Sequence, residues 1–528
     1  MALQCLRAAN IRSAGLRVPF HRLTPMRILV SMRTPTNVRN FDSTLRELAA
    51  RGHDVHVVFE TMKKRIGESQ TEQIESLCAE QPRVTSGIAP RPTPAKDLWF
   101  VVASNIRRAI DYLHYLSPEF RDAPKLRDRG SEQAPGWALR LGGSPLGRSP
   151  RAVRALSRAL QRVERALPQD PRFEHYLRRE RPDVVLVSPL VHIGTQGQVQ
   201  LLRAARRRGI PTGLLVHSWD NLTTKGLIHE VPDMVAVWNE DQVREAVEMH
   251  GVPRDRLVVT GAPTYDQWFD WEASSTGEEF RAAVGLRRDR PYLLYLCSSY
   301  FIAPKEEEYV ARWLDRLRAS EHPELREVGV LIRPHPVAGD PWRQWDHTRW
   351  TNVAVHPRMG ADPVNRNAKA EYFHSIHHSA AVIGVNTSAL IETAIVGRAV
   401  HTLVVPEYRD TQDGTLHFRY LSRENGGPLV VSRSFDKHAA GLKRALRGDV
   451  AEDEAVRAFV HRFVRPLGES VRATDVLADA IVALGNTRIA RGPQPHTRVS
   501  QGLRAAEARA FQIGLLRARR SKRTVGRA

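Results

Sequence analysis

Short apolar runs alternate with amphipathic stretches along most of this chain. Arg27-Ile28-Leu29-Val30-Ser31 is a β-prone run, and a Thr/Pro/Asn loop follows it. Leu45, Leu48 and Ala49 then recur at helical spacing, and Gly52 stands where a helix C-cap belongs. Val55-His56-Val57-Val58-Phe59 is the next strand. Strand, helix and strand in that order make a βαβ unit, whose crossover forces the two strands to run parallel. The pattern returns at 183–187, through a helix over Leu201 and Ala205, to Gly213-Leu214-Leu215-Val216. Met234-Val235-Ala236-Val237 and Leu257-Val258-Val259-Thr260 add two buried strands with a helix at 240–250 between them.

A second series starts at 291–296 and continues through 328–332, 353–355, 380–384 and 400–404. Acidic and small residues at 271–276 mark the linker between the two series. The expected fold class is α/β, with two doubly wound Rossmann-like domains facing a cleft at the carboxyl ends of their strands. The first domain spans 26–272 and carries a helical, Pro/Gly-interrupted insertion at about 86–175; the second spans 277–445. The insertion is compatible with acceptor or membrane contact and equally with packing alone. Amphipathic helices at 446–485 are expected to pack back across both domains.

At 528 residues the chain is long enough for two or three domains, and 42% hydrophobic with 26% charged residues is a globular balance. No apolar stretch reaches the roughly 18 residues that span a bilayer. Cys5, Cys78 and Cys297 are odd in number and widely spaced, which fits a reducing, cytoplasmic compartment. The net charge of +21 is concentrated at the ends. Residues 1–25 hold four Arg and no acid, and 486–528 hold eleven Lys or Arg against Glu507. The first segment lacks a signal-peptide apolar region and is expected to be a disordered basic arm. The tail suits a solvated extension or an anionic membrane surface, which would make the protein peripheral on the inner face. Nucleic acid is disfavoured, because no aromatics are interleaved with the basic residues.

The strand at 380–384 runs into Asn386-Thr387-Ser388, and Glu392 follows one turn into the next helix. This is compatible with an ordinary helix cap at Ser388. It is also compatible with an anion site, where helix N–H groups and the two hydroxyls meet a phosphate while Glu392 accepts from ribose hydroxyls. Arg333-Pro334-His335-Pro336 ends the strand at 328–332, so Arg333 and His335 emerge at the same sheet edge and can neutralise a diphosphate. Together these segments favour phosphate binding.

A strand ending in Arg-Pro-His-Pro, followed later by a strand, Thr-Ser and a downstream Glu, resembles the donor half of glycosyltransferase-B-fold enzymes. It is most similar to bacterial surface-polysaccharide transferases, including CDP-glycerol glycerophosphotransferase-like and sialyltransferase-like groups; UDP-N-acetylglucosamine 2-epimerases have a similar Ser and Glu arrangement. The resemblance covers 285–445. It implies that Arg333, His335, Asn386, Thr387 and Ser388 meet the donor phosphates and that Glu392 holds the ribose. Residues 26–58 are similar to the opening unit of such enzymes, whose first loop meets the acceptor; here that loop offers Thr36, Asn37 and Asn40, with Thr34-Pro35-Thr36-Asn37 replacing the usual Gly-rich turn. Gly261-Ala262-Pro263 resembles the hinge-proximal segment of the same fold.

His217-Ser218-Trp219-Asp220-Asn221 follows the strand at 213–216, and either His217 or Asp220 is placed to deprotonate an acceptor hydroxyl. A buried Trp219 with Asp220 capping a turn is the alternative. The loop at 406–418 follows the strand at 400–404. The resemblance assigns Asp410, Gln412, Asp413 and His417 to the donor sugar; Asp410 and Asp413 are alternatively Mg²⁺ ligands, with the metal-free reading preferred. The expected partners are a nucleotide-sugar donor and a carbohydrate or lipid-linked hydroxyl acceptor. No cofactor is expected, and polyol-phosphate transfer, sugar epimerisation and a non-enzymatic nucleotide-binding scaffold are the alternatives.

Overall fold

Among the described residues, thirteen short strands pair into two parallel sheets. The first takes β1 (Arg27–Met32), β2 (Asp54–Phe59), β3 (Val84–Ile88), β4 (Val184–Ser188), β5 (Thr212–Leu215), β6 (Met234–Val237) and β7 (Leu257–Val259), in the order β3-β2-β1-β4-β5-β6-β7. The second takes β8 (Tyr292–Leu296), β9 (Gly329–Arg333), β10 (Val353–Val355), β11 (Ala381–Gly384), β12 (Ala399–Leu403) and β13 (Leu429–Ser432), in the order β10-β9-β8-β11-β12-β13. Neighbouring strands are parallel throughout. This is the expected pair of doubly wound domains, in a computed structural model that describes residues 24–62, 71–91, 97–120, 124–191, 196–224, 226–336, 339–361, 363, 365–448, 451–487 and 498–506. Most of the basic arm and most of the tail lie outside the described residues.

Strand alternation assigns each side chain to a face. Ile28, Val30 and Met32 of β1 join Leu45, Leu48, Leu477 and Ile481 in one core. Leu29 joins Val185, Val187, Phe173, Leu177 and Leu202 in the core on the other face. All residues of β4, β8 and β9 are buried, as parallel strands covered by helices on both sides must be. In each sheet the winding reverses beside the first strand, between β1 and β4 and between β8 and β11. A crevice opens at the carboxyl ends of the strands at such a reversal.

Two edge strands depart from the sequence reading. Val84–Ile88 falls at the start of the expected insertion but extends the sheet beside β2, with Thr85, Ser86 and Ile88 exposed. Leu429–Ser432 closes the other sheet beside β12. Edge strands are covered less completely, so their apolar pattern is weak.

The insertion is helical as expected, with Leu98–Tyr115, Gly136–Gly143 and Pro150–Ala166 among its helices. A buried ion network ties it to the domain. Arg107 Nε donates to Glu164 Oε1 at 2.6 Å, while Arg203 bridges Glu164 and Glu230, with Arg203 Nε 2.9 Å from Glu230 Oε2. Burial alone would raise the Glu164 carboxyl, but the two guanidiniums outweigh it and hold it down at about 2.

Helix Ala451–Phe463 sits in the second domain, with Phe459 and Phe463 against Leu390 and Ile391. Helix Ala473–Gly485 returns to the first, where Leu477 and Ile481 enter its core. Asp266 fastens the crossing between them. It accepts from Arg465 Nη2 at 3.0 Å and from the backbone N–H of Ala473 and Thr474 at 3.2 and 2.7 Å. Gly261, at φ +80°, lies beneath it, where a Cβ would stand 2.9 Å from both Ala473 Cβ and Val464 O.

Candidate functional site

The carboxyl ends of β1, β4 and β5 face those of β8, β9 and β11 across a cleft of about 770 Å³. Arg33, Thr34 and Pro189 line it from the first domain's winding reversal, and Leu296, Cys297 and Asn386 from the second's. Both crevices thus open into one space.

On the first wall, the short turn at Pro35–Asn40 presents Thr36, Asn37 and Asn40 to the cleft. Asn37 also holds this turn together: its Oδ1 accepts from Thr34 N and Thr34 Oγ1, each at 3.1 Å, and its own N–H donates to Thr34 O at 3.0 Å. The bonds replace the conformational freedom that a glycine loop would have supplied.

His217 and Asp220 line the same wall. Gln242 Nε2 braces their loop by donating to Ser218 O at 3.0 Å, and Ser218 Oγ donates to Asp220. Asn221 Nδ2 donates to Val191 O at 3.4 Å, so its Oδ1 faces His217 Nδ1 at 3.1 Å. An acceptor there keeps the imidazole proton on Nδ1 and leaves Nε2 as the basic nitrogen. Trp219 is buried, with its ring edge-on to His417 of the second domain at 4.7 Å between centroids.

On the second wall stand Arg333, His335, Thr387, Ser388 and Glu392, with Asn386 beside them. Their commitments correct several expectations. Arg333 is buried and forms a two-pronged pair with Glu371, at 2.5 and 3.0 Å, over the Tyr372 ring. Its charge is therefore largely answered inside the domain. Asn386 Nδ2 gives one of its two hydrogens to Thr411 O at 2.7 Å, and its Oδ1 is buried without a hydrogen-bond partner among the described residues. Glu392 Oε2 accepts from the Tyr372 hydroxyl at 2.5 Å. Ser388 makes no side-chain cap; Thr387 Oγ1 accepts from Ala389 N at 3.4 Å instead. The next two N–H groups turn back to Thr387 O and Ser388 O, so the short helix Ala389–Ile395 offers little of the open N-terminus that was expected. His335, Lys369 and the hydroxyls of Thr387 and Ser388 are donors that this wall presents to the cleft.

The polar loop after β12 contributes only His417 to the lining. Gln412 is buried, and its Nε2 donates to Val385 O, Thr402 Oγ1 and Leu403 O at 2.9–3.2 Å. Asp413 pairs with Arg433 at 2.7 Å, and Asp410 is exposed. None of these three lines the cleft, where sugar contacts were expected.

Other lining residues stand in no recognisable motif. Arg33, Arg39 and Lys369 add positive charge, against Asp220 and Glu392. Arg33 follows β1 directly, which is the available sequence signal; Lys369 enters from helix Arg366–His377 and donates to Gln267 Oε1 at 3.3 Å. Trp219, Trp238, Tyr265, Trp268, Trp271 and Tyr372 form an aromatic wall. Tyr265 is held above the usual phenol range by burial first, then by the negative charges of Glu392 and Asp220, so it stays protonated beside both carboxylates.

No family model and no curated protein sequence matches the chain. Among solved structures it is similar to the UDP-GlcNAc 2-epimerase of Neisseria meningitidis bound to UDP-GlcNAc, at 11% identity over 87% of this chain and 100% of that one, with a TM-score of 0.48. It is also similar to the UDP-GlcNAc 2-epimerase of Methanocaldococcus jannaschii in complex with UDP-GlcNAc and UDP, at 12% identity over 86% of this chain and 99% of that one, with a TM-score of 0.45. At these values the likeness is distant.

Proposed function

We propose that the chain is a glycosyltransferase that moves a sugar from a nucleotide-sugar donor to a hydroxyl acceptor, in the synthesis of a surface polysaccharide or glycolipid. The observation that carries this reading is the facing of two Rossmann crevices across one cationic, aromatic-walled cleft. One crevice suits the nucleotide, and the other brings acceptor-side groups to the same space. His335 and Thr387 meet the donor diphosphate from one wall, while Arg33 and Arg39 balance its charge from the other. Glu392, oriented by Tyr372, accepts from the ribose hydroxyls.

In the reaction, the acceptor oxygen attacks the anomeric carbon and the carbon–oxygen bond to the diphosphate breaks. The acceptor proton passes to His217 Nε2, while the leaving diphosphate takes the bonding electron pair and gains negative charge. Cations and hydroxyls already in place stabilise that charge without rearranging, which is electrostatic catalysis. No metal is assigned a step, because Arg33, Arg39 and Lys369 of the cleft supply the positive charge.

The test is nucleotide release from a panel of nucleotide sugars with and without hydroxyl acceptors. A transferase releases nucleotide diphosphate in step with glycosylated acceptor. Conversion of the donor to its sugar epimer without any acceptor would replace this reading with an epimerase, and transfer of a polyol phosphate with nucleoside monophosphate release would replace it with a phosphotransferase.

A further inference from the structure

Helices Gly136–Gly143 and Pro150–Ala166 of the insertion meet helix Leu98–Tyr115 through Ala138 and Val153, which pack with Ala109, Tyr112 and Leu113. Their opposite sides carry a different composition. Arg151, Arg154, Arg158, Arg162 and Arg165 recur at steps of three and four residues, which places them on one helix face, and all are exposed. Arg140 and Arg148 are exposed on the preceding helix and turn. No Asp or Glu occurs between Gly136 and Val163. The first acid after them, Glu164, turns inward to Arg107 and Arg203. Among the described residues, none of these seven arginines has an ion-pair partner.

Apolar side chains stand out from the same segment: Trp137 is 44% exposed, Leu139 38%, Leu146 59% and Val163 52%. Arginines around a Trp and aliphatic tips suit the boundary between lipid headgroups and acyl chains, where guanidiniums meet phosphates and the apolar tips enter. Single-stranded nucleic acid would call instead for several aromatics spaced among the cations, and Trp137 stands alone.

The C-terminal chain converges on the same element. Leu503 packs with Ala103, Ile106, Ile110 and Leu167, and Arg504 Nη2 donates to Gln169 O at 2.7 Å. Seven Lys or Arg and one Glu follow Ala506 in the sequence. This is part of the expected basic tail, and here its start is docked.

We propose that this face of the insertion, bearing Trp137, Leu139 and Leu146 among Arg140, Arg148, Arg151, Arg154 and Arg158, seats the protein on an anionic lipid bilayer. Helix Leu98–Tyr115 also accepts from the segment that follows the His217 loop, through Asp111 Oδ1 from Leu227 N at 3.0 Å and Tyr115 OH from Gly226 N at 2.9 Å. The docked face therefore belongs to the acceptor side of the cleft. Delivery of a lipid-borne hydroxyl acceptor there rests on the proposed transferase reaction; the docking does not.

The full chain is sedimented with phosphatidylcholine vesicles with and without phosphatidylglycerol, and is titrated separately with single-stranded RNA at the same ionic strength. The protein is expected on the anionic vesicles and not on phosphatidylcholine alone. The triple variant Arg151→Glu, Arg154→Glu, Arg158→Glu lowers that binding by more than about a hundredfold. The variant Trp137→Ala, Leu146→Ala lowers it without a change in net charge. Both variants keep the wild-type circular dichroism and the wild-type response to nucleotide, which separates a failed docking surface from a failed cleft. Anionic-vesicle binding that survives the charge reversal overturns the proposal. So does binding to RNA with none to vesicles.

Discussion

The Tyr420 hydroxyl donates to Glu245 Oε1 at 2.6 Å, joining the second domain to helix Glu240–Glu248 of the first. The other carboxyl oxygen of Glu245 is buried without a hydrogen-bond partner. Burial pushes this carboxyl up to about 8; Tyr420 and Arg244 oppose the shift, and Asp241 and Asp220 add to it. The folded protein thus binds a proton that the unfolded chain releases at ordinary carboxylate pH. Stability from this group is fully present in acid and is lost as pH rises through about 8. The thermal midpoint of the wild type should therefore fall relative to that of Glu245→Gln across that window. Parallel curves for the two proteins would show that Glu245 titrates normally.

The crossing of the C-terminal helices depends on one carboxylate. Asp266 and Arg465 are 2% and 6% exposed, and Asp266 also takes two backbone N–H groups. Removing one partner strands a buried charge, so Asp266→Ala is expected to cost about 3–5 kcal/mol in chemical denaturation. A loss below about 1 kcal/mol would mean that water replaces the carboxylate without difficulty.

Arg333 ends β9, and His335 lies in the loop that follows it. The Arg333 guanidinium is answered by Glu371, so Arg333→Ala should lower stability by about 2 kcal/mol. Its effect on nucleotide affinity should be smaller than that of His335→Ala. Calorimetric titration of both variants checks the order, and the reverse order would place Arg333 on the ligand.

If His217 takes the acceptor proton, His217→Ala should reduce turnover by roughly 10²–10⁴ while nucleotide affinity stays near wild type. A matching loss in Asp220→Ala with His217→Ala fully active would move the base to Asp220.

Fully covered strands were the legible part of the fold: β4, β8 and β9 read as unbroken apolar runs because helices bury both faces. The edge strand β3 did not, since three of its five residues face solvent. In the site, His335, Thr387 and His217 were legible because each directly follows a strand that ends at the cleft. The pairing of Arg333 with Glu371 was not, because the partner lies on helix Arg366–His377, beyond any local pattern. Gln412 was assigned to the donor sugar by the family resemblance; its amide instead satisfies carbonyls at the ends of β11 and β12, which only the packed structure reveals.

The central claim, a nucleotide diphosphate held between the two walls, is tested most directly by thermal shift with UDP, CDP, CMP, GDP and ADP. A ligand present at about a hundred times its Kd stabilises the native state by about 2.7 kcal/mol. One nucleoside diphosphate should therefore raise the melting temperature of the wild type by several degrees, and the double variant His335→Ala, Thr387→Ala should lose that shift while melting near the wild-type temperature without ligand. No shift with any nucleotide, or a shift that the double variant keeps in full, would contradict the account.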